Sequence, residues 1–106
     1  MPVTVLLTFV ATVDDPSHLR ETLTELAQVS QKMTGALRYS LYQGQDDPNY
    51  FHIHQYWANR EAYQAYINSN ELNAAFVEIK GLVSELLVKE LTPVANAENK
   101  PILIAC

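Results

Sequence analysis

Cysteine is almost absent from this sequence: of 106 residues only Cys106, the last, is one. No internal disulfide and no cysteine-based zinc site can therefore be built. Cations are scarce too, with 7 Lys and Arg against 12 Asp and Glu and a net charge of -5. A surface that tracks phosphates draws on clustered cations, so a nucleic-acid partner is not expected. No apolar run approaches the roughly 20 residues a membrane span needs. The opening Met1-Pro2-Val3-Thr4 also lacks the basic start of a signal peptide. A cytoplasmic location with no membrane partner is the expectation. With only 3 Gly and 5 Pro the chain is neither collagen-like nor a linker, and 48% hydrophobic with 18% charged residues fits a packed globule. One domain accounts for the length, and a domain this small buries only about 60 to 70% of the surface its unfolded chain exposes. Association is expected to cover some of the rest.

What is present reads in order. Val3 to Val13, rich in β-branched residues and free of Gly and Pro, predicts a strand buried on much of both faces. Asp14-Asp15-Pro16 supplies a carboxylate cap and a proline suited to the first helical position. Leu19, Leu23, Leu26, Ala27 and Met33 then recur at helical spacing up to a stop near Thr34-Gly35. Residues 37–43 and 50–57 alternate as strands around the turn-forming 44–49, a hairpin with a long loop. In the second of these, Phe51, Ile53, Gln55 and Trp57 share one face; Tyr50, His52, His54 and Tyr56 share the other. Asn59 caps a second helix with Ala62, Tyr63, Tyr66 and Ile67 as its ridge, and Ser69-Asn70 breaks it and caps a further piece carrying Leu72, Ala75, Phe76 and Ile79. A last strand runs from about Ser84 to Leu91, ended by Thr92-Pro93.

The order β-α-β-β-α-β predicts an α+β, ferredoxin-like fold: a four-stranded antiparallel sheet with its helices on one face, spanning residues 1–93. Residues 94–106 form a tail that could add an edge strand. The face without helices would be bare and apolar, and a second copy stacked on it would hide it, so a homodimer is expected.

The string from Phe51 to Phe76 resembles the antibiotic biosynthesis monooxygenase family, through an alternating strand ending in Trp, a helix opening on Glu-Ala and a Ser at its break. Phe51, Ile53, Trp57, Glu61, Ala62, Ser69 and Phe76 carry the pattern. The resemblance extends over residues 3 to about 93. It implies a dimeric α/β barrel with a pocket between sheet and helices in each subunit. It also implies, for some members, oxidation of phenols, quinols or anthrones by molecular oxygen without metal, flavin or haem. Residue by residue the match is partial. Trp57 and Tyr63 stand where the polyketide-oxidising branch has them, but Ile53 replaces its Asn. Tyr66 and Glu71 replace the histidines of the quinol-oxidising branch, and Phe76 replaces the iron-ligating His of the haem-degrading branch.

From these residues Tyr63, Tyr66 and His54 are the catalytic candidates, with Trp57, Ile53 and Phe76 as substrate-binding residues. The tyrosines would donate to a developing oxyanion, Trp57 would stack on a flat substrate, and a histidine or a tyrosine-held water would take the phenolic proton. His52 and His54, grouped with Tyr50, Tyr56 and Tyr39, have a spacing that suits two metal ligands, but a third would have to come from His18, near the start of the first helix, or from a carboxylate that the sequence does not place. No metal and no cofactor are expected. Two classes of function stay open: a small monooxygenase for an aromatic substrate, or a noncatalytic dimeric module that binds a small apolar molecule or only assembles. Packing competes with the pocket as the role of the aromatic rings.

Overall fold

The computed structural model describes residues 2–12 and 16–95. Its elements are β1 (Val3–Ala11), α1 (Ser17–Ser30), β2 (Ala36–Gln43), β3 (Tyr50–Trp57), α2 (Arg60–Ile67), α3 (Asn70–Ile79) and β4 (Val83–Leu91). The strands form one antiparallel sheet in the order β2-β3-β1-β4, the ferredoxin-like arrangement expected with its second helix in two pieces. No helix among the described residues is long and apolar enough to cross a membrane. The supposed edge strand of the tail, the Asp14-Asp15 cap, Val13 and Cys106 lie outside the described residues.

β1 alternates strictly. Val3, Val5, Leu7, Phe9 and Ala11 are buried under the helices, and the residues between them are half-buried on the other face. Burial on much of both faces is thus corrected to burial on one. All three helices lie on that side, and nothing in the chain's described residues covers the other. The core joins this strand to Phe51, Ile53 and Trp57 of β3, to Leu19, Leu23 and Leu26 of α1, and to Tyr63, Tyr66, Leu72 and Ile79. Full burial of each large side chain contributes on the order of 1.5 to 3 kcal/mol.

α1 is shorter than its periodicity suggests, and Pro16 is its cap rather than its first residue. It ends at Ser30 because the chain tightens into i→i−3 bonds, with the amides of Lys32 and Met33 donating to Val29 and Ser30. Gly35 lies beyond that turn at φ 87, where β2 begins. A Cβ there would stand 2.4 Å from the Cβ of Ala62 on α2, so this glycine serves both the left-handed backbone and the seating of a helix.

α2 starts where Asn59 Oδ1 accepts from the Ala62 amide at 2.8 Å. Ser69 separates the two helix pieces with one hydroxyl, which donates to the Tyr66 carbonyl and accepts from the Leu72 amide.

The helix-free face is more mixed than the apolar face expected. Successive rows across the sheet read Arg38, Tyr56, Thr4, Leu91; then Ser40, His54, Leu6, Lys89; then Tyr42, His52, Thr8, Leu87. The apolar members of these rows sit on β1 and β4, and the polar ones mainly on β2 and β3.

Candidate functional site

A cavity of about 120 Å3 lies between the sheet and the helices. Leu7 and Phe9 of β1, Tyr39 of β2, Gln55 of β3 and Val88 of β4 form its sheet wall. Leu26, Tyr63, Tyr66, Ile67, Leu72, Asn73 and Phe76 form its helical wall. The mouth lies toward Ile67, Val88 and Asn73, all exposed. α2 turns Tyr63 and Tyr66 inward because i and i+3 share a helix face, and the strand period of two turns Tyr39 and Gln55 the same way as direct cross-strand partners.

Within this apolar surround the polar groups are joined. Tyr39 Oη lies 2.8 Å from Tyr66 Oη, which lies 2.9 Å from Ser30 Oγ. Trp57 Nε1 donates to Gln55 Oε1 at 2.8 Å. An indole can only donate, so it fixes the Gln55 amide with its NH2 turned away from the indole, and Gln55 is also a hydrogen-bond partner of the Tyr39 hydroxyl. The Tyr39, Tyr66 and Ser30 hydroxyls form one chain in which each oxygen can donate or accept. Burial pushes the Tyr66 phenol well above the ordinary tyrosine value, and the Tyr39 charge would raise it further. Burial also raises Tyr39, against the opposing hydrogen bonds of Tyr66, Ser30 and Gln55. Both phenols stay protonated across the physiological range.

The rings pack closely. Trp57 lies tilted against Tyr66 with centroids 4.8 Å apart and against Tyr63 at 6.4 Å, while Tyr39 meets Tyr66 edge-on at 6.0 Å. At the rim, Arg60 of α2 grips Glu90 of β4 in a two-pronged exposed pair at 2.8 and 3.1 Å. Burial raises Tyr63 as well, with the Glu90 charge adding to it and the Arg60 charge opposing it.

Of the residues singled out in the sequence, Tyr63, Tyr66 and Phe76 line the cavity together. Trp57 and Ile53 are wholly buried on the same side of the sheet but are not part of the cavity wall; Trp57 backs Tyr66 instead. His54 lies on the helix-free face, opposite Leu6 and Ser40, with the thickness of the sheet between it and the cavity. His52 shares that face and bonds Thr8 Oγ1 through Nδ1 at 3.1 Å. Tyr39, grouped with these histidines in the sequence reading, turns to the other side as the direct partner of Gln55, on the face it shares with Leu41 by alternation. Among the described residues no three His, Cys, Asp or Glu side chains gather as a metal site. The residues sequence reasoning missed are Ser30, Tyr39 and Gln55. Gln55 carried a signal, being the one amide on the apolar face of β3.

The surroundings match known proteins in sequence and in fold. The sequence profile of the antibiotic biosynthesis monooxygenases matches residues 2–78. A solved Deinococcus radiodurans protein assigned to those monooxygenases superposes with a TM-score of 0.82 at 25% identity, over 92% of this chain and 97% of its own. Rv0793 of Mycobacterium tuberculosis superposes at 0.83 with 22% identity, over 92% and 100%. SnoaB of Streptomyces nogalater, described as a cofactor-independent oxygenase and solved as a mutant, superposes at 0.82 with 14% identity, over 92% and 98%. The last two show likeness of fold alone. No curated protein matches the chain. With its profile match running from β1 into α3, this chain belongs to the antibiotic biosynthesis monooxygenase family.

Proposed function

We propose that the protein is a cofactor-independent monooxygenase that oxidises a phenolic, quinol or anthrone-type aromatic small molecule with O2 in the cavity between sheet and helices. The observation that carries this reading is the hydroxyl pair of Tyr39 and Tyr66, 2.8 Å apart on a mainly apolar wall. The chemistry starts with loss of a phenolic proton. The electron-rich anion passes an electron to oxygen, the two combine at a ring carbon as a hydroperoxide, and loss of water leaves a carbonyl. For a hydroquinone the balance is quinol plus O2 to hydroxyquinone plus water, with all four electrons supplied by the substrate.

The site's part is electrostatic. The Tyr39–Tyr66–Ser30 chain, its phenols kept protonated by burial, can turn one O–H to the developing oxyanion while the others donate along the chain behind it, and one such donor is worth about a hundredfold to a thousandfold in rate. Tyr63 and Phe76 flank the ring, and Trp57 with Ile53 holds Tyr66 from behind. No carboxylate, imidazole or amine belongs to the wall, so in this reading the proton leaves to water at the mouth beside Asn73. That gives His54 no part as base.

The same wall favours a second reading, a noncatalytic binding module, since it holds no group that titrates near neutral pH. Oxygen uptake with a panel of quinols and anthrones separates the two. Consumption of one O2 per substrate oxidised is the expected result, and binding without consumption would leave only the module. The reading includes a cytoplasmic location and a homodimer formed through the helix-free face. Leu87 and Leu91, 48% and 43% exposed there, support the dimer, and its interface would bury on the order of 2,000 Å2 or more in total. A monomer by light scattering at micromolar concentration would remove that part.

A further inference from the structure

We infer that the ligand of the cavity is a single uncharged aromatic ring carrying a hydroxyl, and that fused two- and three-ring systems are shut out. The inference rests on the reading of this cavity as the substrate site and narrows the substrate class within it.

Size comes first. The cavity measures about 120 Å3, and an apolar cavity of about 150 Å3 holds one benzene. At slightly less than that, the cavity takes one ring only where the ring reaches into the mouth, and it leaves no place for a second beside it. Its far walls cannot yield easily: Phe9 and Gln55 are 0% and 2% exposed, and Leu26 is 5% exposed. Displacing any of them would strain a packed core. Growth is possible only toward the mouth, past Phe76, the partly buried ring of α3.

Charge comes second. No cationic side chain lines the cavity, and Arg60 at the rim is already committed to Glu90. A carboxylate taken inside would lose its hydration with nothing to replace it. The hydroxyl comes third. The Tyr39–Tyr66–Ser30 chain is the cavity's polar corner, and a ligand oxygen there gains a partner that a bare hydrocarbon would not need.

The test is calorimetric titration of the whole protein under argon with phenol, toluene, 2-naphthol and 4-hydroxybenzoate, so that binding is read without turnover. Phenol is expected to bind more tightly than toluene. 2-Naphthol, which a roomy apolar site would hold more tightly than phenol, is expected to bind at least about tenfold more weakly. 4-Hydroxybenzoate is expected to give no binding heat in the same range. Phe76→Ala should invert the order of phenol and 2-naphthol by opening the mouth, and Phe76→Leu, the milder change, should move it the same way if the alanine variant does not fold. Naphthol binding the native protein as tightly as phenol, hydroxybenzoate binding like phenol, or no heat from phenol would each overturn the inference. Aerobic oxygen uptake with hydroquinone is then measured separately. Selective phenol binding without oxygen uptake would remove the oxygenase reading and leave the ligand class standing.

Discussion

Tyr39 on β2 and Tyr66 on α2 meet hydroxyl to hydroxyl at 2.8 Å across 27 positions of sequence, and neither can ionise without disturbing the other. Each would have its charge raised in cost by burial, and the anion of one would repel the anion of its neighbour. The pair therefore stays a neutral, protonated hydroxyl relay backed by Ser30, beside the Gln55 amide that the indole of Trp57 fixes.

Replacing the two α2 tyrosines one at a time should split packing from chemistry. Tyr66→Phe keeps the ring against Trp57 but strands Ser30 and Tyr39, and is expected to cost about 1 to 3 kcal/mol of stability and about a hundredfold or more in turnover. Tyr63→Phe should leave the melting temperature nearly unchanged. Melting curves and turnover measured on the same two samples check this, and an unaltered turnover in Tyr66→Phe would show that its hydroxyl serves packing alone.

Stability at high pH follows from the same pair. Folded Tyr39 and Tyr66 hold their protons more tightly than in the unfolded chain, so above the ordinary tyrosine pKa near 10 the unfolded state binds fewer protons. The contribution is intact below about pH 10 and is lost as pH rises toward the raised folded values. Denaturant midpoints from pH 8 to 11.5 should fall only over the upper part of that range, and more shallowly in Tyr66→Phe.

Gln55→Leu tests the support behind the chain. The buried indole N–H of Trp57 would lose its acceptor at a cost of about 1 to 3 kcal/mol, and Tyr39 would lose its polar neighbour across the sheet. Lower stability together with a shifted Trp57 emission spectrum is expected; an unchanged spectrum would contradict the hydrogen bond.

Gly35→Ala should be the most damaging small change in the chain. It places a Cβ in a left-handed conformation, costing roughly 1 to 2 kcal/mol for the backbone alone, and drives it into Ala62. Adding Ala62→Gly should restore the part due to collision and leave the backbone part. Urea midpoints of the two single variants and the double variant give the coupling directly, and purely additive losses would mean that the contact does not matter.

Much of this was legible from residue order, because the signals were local. Asn59 and Ser69 announce their helices by side chains that must accept an amide, and Phe51 to Trp57 alternate as any half-buried strand does. The site was less legible. Tyr63 and Tyr66 share a face of α2 and could be grouped, but Phe76 comes from α3 and Tyr39 from β2, and their meeting depends on the seating of α3 and on the register of β2 against Gln55, which residue order does not state. Ser30 falls inside the stretch read as helix with nothing in its spacing to single it out, though it is the 0% exposed terminus of a hydroxyl chain. His54 was drawn toward the site by its chemistry and kept from it by parity alone.

β4 sets the tempo at which the cavity exchanges its contents. Among the described residues the strand is paired only to β1 and is largely exposed on both faces, yet its Val88 forms part of the cavity mouth. Elements so thinly covered open locally at free energies far below global unfolding. Arg60 and Glu90 fasten it to α2 through a contact that salt weakens. Occupancy and hydrogen exchange are therefore two views of one fluctuation: amides from Leu86 to Glu90 should slow when a ligand is bound and quicken as ionic strength rises, with the dissociation rate following the same trend.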